Sequence, residues 1–199
     1  MNKVKIGIST VLAVVLLQGM SVNSYAIQRD GYPKIKTVTL KTNRVIQSKT
    51  NTPFVDFSDV TKVSNISTEA LRKMLAGKPL ESIASAFVKA EEKTGINALV
   101  LVGIAGEESG HGTSDRANSD KNNLTGMGVN TVKSEGKGYS SWSECIMDTA
   151  MLLRDCYTQE GQKYYVDKSI EGINTYYSAN PEWADNVKGV IDYYTRKVK

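Results

Sequence analysis

Two adjacent carboxylates, Glu107 and Glu108, follow the apolar run Ala-Leu-Val-Leu-Val-Gly-Ile-Ala-Gly from Ala98 to Gly106. A helix over Ala98 to Glu108 would be apolar all round and hence buried, and its last turn would end in unpaired carbonyls that carry partial negative charge. Desolvation and that dipole both disfavour an ionised carboxyl, so its pKa should rise. A carboxylic acid that holds its proton near neutral pH is what glycosidic cleavage needs to protonate the departing oxygen, and either glutamate could be that general acid. Periodicity leaves the choice open. Leu101 and Ile104 lie seven and four residues before Glu108, Val100 and Gly103 seven and four before Glu107.

The remaining reactive side chains are few. His111 is the single histidine, and Cys145 and Cys156 are the two cysteines. They are too few for a four-ligand zinc site built from His and Cys or for a two-histidine motif, so neither a metal nor a cofactor is expected. If both cysteines lie in one helix, eleven positions apart, they stand roughly 16 Å apart along its axis, which excludes an intrachain disulfide. A cysteine nucleophile paired with His111 is the rival chemistry. The lack of a helix N-terminus at either thiol argues against it.

These side chains need elements to hold them. From Ser67 the pattern becomes helical, with Glu69 to Ala76 stopping at Gly77-Lys78-Pro79 and about Leu80 to Lys93 stopping at Thr94-Gly95. Asn97 can cap the buried helix, and Gly103 and Gly106 within it suggest a close approach by another backbone or a ligand. Ser109 to Ser140, rich in Gly, Asn, Asp and Ser, should be loop with at most a small hairpin. Ser141-Trp142-Ser143-Glu144 has the form of a capping box opening a helix through about Tyr157, which makes Glu144 structural. Asn180-Pro181 opens a last helix whose Trp183, Val187, Val190, Ile191 and Tyr194 share one face. From Ile27 to about Ser64 there is little apolar periodicity, so a linker or spacer is expected, with short strands near Lys36 to Leu40 and Phe54 to Phe57. The compact domain is placed at residues 66–199.

The segments Ala90-Glu91 through Gly95-Ile96-Asn97-Ala98-Leu99, Glu108-Ser109-Gly110-His111-Gly112-Thr113-Ser114 and Lys121-Asn122-Asn123-Leu124-Thr125-Gly126-Met127-Gly128 together resemble glycoside hydrolase family 73, the peptidoglycan endo-β-N-acetylglucosaminidases. Tyr176-Tyr177-Ser178-Ala179-Asn180-Pro181-Glu182-Trp183-Ala184 is similar to the family's Tyr-Ala-x-Asp-Pro-x-Tyr-Ala segment. The resemblance spans roughly Ile66 to Val198. It implies an α+β, predominantly α-helical, lysozyme-like domain with a small loop or hairpin lobe beside a substrate groove. It also implies cleavage of the β-1,4 bond after N-acetylglucosamine in wall glycan strands, with Glu108 as the general acid. His111 stands where members often carry Trp, and Thr125 where they often carry Phe.

For the second carboxylate Glu135 is the candidate, with Asp115, Asp120 and a substrate acetamido group as rivals. Tyr177 is the first choice for stacking on a sugar ring, with a core tyrosine as the alternative; Trp142 and Trp183 belong to the core by helical phase. Asn122 and Asn123 could bind substrate amides or simply form a turn, and His111 is a further groove residue. Lytic transglycosylase chemistry and a non-catalytic glycan-binding protein are the alternative functions.

With 199 residues, 40% hydrophobic and 23% charged, the chain has room for one compact domain. A net charge of +4 without a clustered basic block makes nucleic acid a poor partner. Lys3 and Lys5, the apolar stretch Ile6 to Met20 and Ser24-Tyr25-Ala26 form a secretory signal cleaved after Ala26, too short to span a bilayer. The expected product carries a charge near +2. It should be secreted or wall-associated and monomeric, with no stable membrane insertion.

Overall fold

The structure, a computed structural model, describes residues 49–128 and 136–198. The proposed signal segment, the strand expected near Lys36 to Leu40 and Glu135 lie outside the described residues. The fold is mostly helical. Its helices are α1 (Thr68–Leu75), α2 (Ala84–Thr94), α3 (Ala98–Ser109), α4 (Asp115–Asn118), α5 (Trp142–Cys156), α6 (Ile170–Tyr177) and α7 (Trp183–Thr195), with 3-10 turns at Pro79–Ile83 and Arg196–Val198. Among the described residues, extended pairing amounts to one parallel bridge, Thr50 with Ile66.

The apolar run forms α3 as its composition demands. Asn97 caps it by accepting from the Leu99 N–H at 2.8 Å, and ten of its twelve residues are buried. α3 is the hub against which α7, α2 and α5 pack. The two helix glycines answer to that packing: a methyl group on Gly103 would stand 2.7 Å from Ile191, and one on Gly106 2.6 Å from Val190. The close approach expected there comes from side chains of α7. Leu99, Leu101 and Ile104 of α3 join Phe87, Leu71, Leu153 and Tyr194 in one core, each contributing about 1.5–3 kcal/mol over an exposed side chain.

The capping box forms at α5. Ser141 Oγ accepts from the Glu144 N–H at 3.2 Å, while the Glu144 carboxylate reaches back to the N–H and hydroxyl of Ser140 rather than to Ser141 itself. Cys145 and Cys156 both lie in α5 as free thiols.

Several expectations change. Phe54 to Phe57 is not a strand, because the Asp56 carboxylate accepts from the N–H and hydroxyl of Ser58 and turns the chain. Residues 49–65, expected as spacer, are packed: Val60 is fully buried, its N–H donates to Lys168 O and its carbonyl accepts from Asn97 N, both at 2.9 Å. α7 starts at Trp183, not at Asn180-Pro181, since Asn180 instead accepts from the Glu182 N–H and closes a turn. α4 adds one helical turn to the loop. α6 carries too little periodicity to be read from sequence; Ser169 caps it, and buried Ile170 and Ile173 hold it.

Candidate active site

The two glutamates at the end of α3 have different surroundings. Glu107 Oε1 accepts from Asn186 Nδ2 at 2.9 Å at the surface. Glu108 Oε1 accepts from the indole N–H of Trp183 at 2.8 Å. Its other oxygen faces Gly126, where a methyl group would stand 3.1 Å from Oε2. Burial raises the Glu108 pKa, and the neighbouring Glu107 charge adds to this; the Trp183 hydrogen bond and Arg116 oppose it. The indole only donates, so in the neutral acid the proton belongs on Oε2. Position along the helix leaves the pair alike; α7 gives them different partners.

The chain after Glu108 turns back through three consecutive left-handed residues, Gly110, His111 and Gly112, with φ of 56°, 62° and 89°. Ser109 closes that turn: its hydroxyl donates to Ala105 O and accepts from the Gly112 N–H at 2.8 Å. For His111 this backbone costs about 1–2 kcal/mol, offset in part by a 2.8 Å hydrogen bond between Nδ1 and the Tyr194 hydroxyl. Burial, with Lys78 and Lys197 nearby, lowers the His111 pKa. His111 therefore faces the C-terminal end of α7, away from Trp183.

The returning loop brings Gly126 over Glu108 and is braced from within. Asn123 is buried; its amide donates to Met127 O and Lys137 O, both at 2.9 Å, and accepts from Met127 N at 3.0 Å. Asn122, at φ 48°, donates to Tyr139 O. Both amides thus hold loop backbone. Thr125 is buried beneath the loop, with its hydroxyl 2.7 Å from that of Thr149 and 3.4 Å from Cys145 Sγ. Burial raises the Cys145 pKa, which suits a packed thiol and not a nucleophile. Asp115 and Asp120 are exposed. No three His, Cys, Asp or Glu side chains among the described residues could hold a metal ion.

Tyr177 closes the far side. Its ring stacks on Trp183 at 4.8 Å and 30°, and its hydroxyl donates to Thr125 O at 3.2 Å. The half-buried ring thus links Trp183 to the loop that carries Gly126. Burial first, and the Glu108 charge next, push its phenol pKa well up. Trp183 is a core residue, 2% exposed, as its helical phase implied, yet its link to Glu108 was missed. A signal existed: a buried indole N–H needs an acceptor, and α3 supplies a carboxylate.

Glu91 was also missed as a structural residue. It is 2% exposed, and its carboxylate accepts from Ser64 N and Oγ, Asn65 N and Ala98 N at 2.7–3.0 Å.

Comparison with known proteins bears on the fold and the family. Two Streptococcus pneumoniae proteins, from strains TIGR4 and R6, each named "Putative endo-beta-N-acetylglucosaminidase", are 29% identical over 150 residues, covering 72% of this chain. The chain spans only about a fifth of the length of these relatives. Among solved structures, a catalytic mutant of S. aureus autolysin E in complex with the disaccharide NAG-NAM superposes with a TM-score of 0.57 at 20% identity, covering 73% of this chain and 75% of that one. Autolysin E in complex with the muropeptide NAM-L-Ala-D-iGlu gives 0.56 at 21% identity, over 70% and 71%. The fold is therefore lysozyme-like, as the resemblance implied. The family model described as glucosaminidase, mannosyl-glycoprotein endo-beta-N-acetylglucosaminidase, matches residues 84–196, more than half of the chain, and the protein belongs to this family.

Proposed function

We propose that this chain is an exported peptidoglycan hydrolase that cleaves the β-1,4 bond after N-acetylglucosamine, with Glu108 as general acid. The observation that carries the reading is the Glu108 carboxyl at the end of a buried helix, with Oε1 fastened by Trp183 and Oε2 facing a residue without a side chain. Burial raises the Glu108 pKa, so Oε2 holds its proton to higher pH than an ordinary glutamate does, and its transfer to the glycosidic oxygen lets the sugar leave. Trp183 then donates to the carboxylate that forms.

Glu135 is proposed as the base or electrostatic partner, by sequence. Tyr177, His111, Asn122 and Asn123 are the residues proposed to border the bound glycan; the internal hydrogen bonds of both asparagines support a role through loop shape more than through direct contact. Export rests on the signal-like residues 1–26, and action at the wall follows from the substrate. Among the described residues no helix is long and apolar enough to cross a membrane.

Mass spectrometry of digested wall glycan tests the reaction. Products with reducing-end N-acetylglucosamine are expected; anhydro-sugar ends would mean lytic transglycosylase chemistry, and intact strands a binding protein. In the same assay Glu135→Gln should slow turnover ~100-fold while the fold survives. Near-normal turnover would move the second role to Asp115, Asp120 or the substrate acetamido group.

A further inference from the structure

On the side of the α3 terminus away from Trp183, two distant segments bring ammonium groups onto one exposed aromatic ring, and a third packs an imidazole behind it. Tyr193 of α7 is 43% exposed. The Lys197 ammonium lies 4.8 Å from its ring centre and the Lys78 ammonium 5.9 Å. The imidazole of His111 packs behind, 5.4 Å from the same ring. Lys197 also lies 5.4 Å from the Tyr194 ring and donates to Ala76 O at 3.3 Å, which ties the C-terminal 3-10 turn to the end of α1.

Neither Lys78 nor Lys197 pairs with a carboxylate among the described residues. The acidic group whose charge acts on His111, Glu107, is hydrogen-bonded to Asn186. Two like charges gathered over one ring repel each other, and a cation–π contact offsets only about 0.5–1 kcal/mol at an exposed site. An anion bridging both ammonium groups would relieve that repulsion through charge-assisted hydrogen bonds, and the exposed phenol ring offers an apolar face beside it.

The reading of Glu108 as the acid for wall glycan identifies the anion, and the inference rests on it. His111 follows Glu108 by three residues through the turn that ends α3, so the patch and the carboxyl share one end of that helix, within reach of one long polymer. N-acetylglucosamine is uncharged. The acidic groups that belong to a peptidoglycan strand are the carboxylates of the lactyl-linked peptides on alternate sugars. We propose that Lys78, Lys197 and Tyr193, backed by His111, dock the carboxylates of these peptides, so that the protein prefers peptide-bearing strands to bare ones.

The test is co-sedimentation of the full chain with insoluble glycan, either peptide-bearing or stripped of peptide by an amidase with the lactyl carboxylates so freed then capped as amides, which reads binding without cleavage. Peptide-bearing glycan should bind roughly tenfold tighter, the scale of one charge-assisted hydrogen bond. In Lys78→Ala/Lys197→Ala the ratio should fall to about one with an unchanged melting temperature, and Lys78→Arg/Lys197→Arg should restore it. Equal binding of both glycans by the unaltered chain, or a ratio unmoved in the alanine pair, overturns the proposal. So does a preference that vanishes on removing wall phosphate polymers while the peptides remain. Peptide-dependent binding without any cleavage would sustain the docking surface and refute the hydrolase reading alone.

Discussion

The two ends of α3 each hold a glutamate carboxyl, one buried and one partly buried, and they use it in opposite ways. At the N-terminal end Glu91, reaching over from α2, accepts four hydrogen bonds, one from Ala98 N in the first turn of α3, where helix N–H groups favour negative charge. At the C-terminal end Glu108 accepts one, from Trp183, beside helix carbonyls that disfavour charge. Some burial is common to both. The difference lies in how many donors meet the carboxyl and which pole of the helix it sees: Glu91 is a clamp for residues 64 and 65, and Glu108 is suited to hold and release a proton.

The sharpest break of this comparison is Glu108→Gln, which keeps size and the Trp183 hydrogen bond but has no proton to give. Wall lysis should fall ~1000-fold or more. Burial raises the Glu108 pKa in the folded protein, so wild type loses stability as pH rises from the ordinary glutamate value of 4.5 through the raised one. The glutamine variant lacks that loss. Melting curves at successive pH values should therefore show it equal to or more stable than wild type, increasingly so toward neutral pH.

Glu91→Ala should act on the other quantity. Removing the acceptor of four donors should lower folding stability by about 3 kcal/mol, read from the denaturant midpoint. The activity of the remaining folded protein should keep the wild-type pH profile. A shifted alkaline limb would break the contrast between the two ends.

Trp183→Phe sharpens the Glu108 end. The lost N–H frees the carboxyl rotamer and should slow turnover roughly tenfold. That hydrogen bond lowers the Glu108 pKa, so its removal moves the alkaline limb of kcat/KM to higher pH. A fall in rate with the limb in place would mean that Trp183 acts through packing alone. Smallest of all, Glu107→Gln should change turnover at the optimum by no more than about twofold, since Glu107 is tied to Asn186 near the surface, while the loss of its charge moves the alkaline limb slightly to lower pH. If Glu107→Gln and Glu108→Gln exchanged effects in a side-by-side lysis assay, the assignment of the acid would be reversed.

Much of this was legible in the residues themselves, because the signals are local. An uninterrupted apolar run makes a buried helix, Asn97 caps it, Ser141 and Glu144 sit at capping-box spacing, and Gly103 and Gly106 demand a close neighbour. The glutamate before Ser109-Gly110 marks the family. Other features were closed to the sequence because their partners lie far along the chain: Trp183 meets Glu108 across 75 residues, Ser64 meets Glu91 across 27 and Tyr177 meets Thr125 across 52. Tertiary packing alone decided which adjacent carboxyl meets a buried donor, since both end the same helix and only Glu108 faces Trp183 and Gly126. It also drew residues 49–65, without periodicity of their own, into the body of the domain, because Glu91 and Asn97 take up their backbone groups.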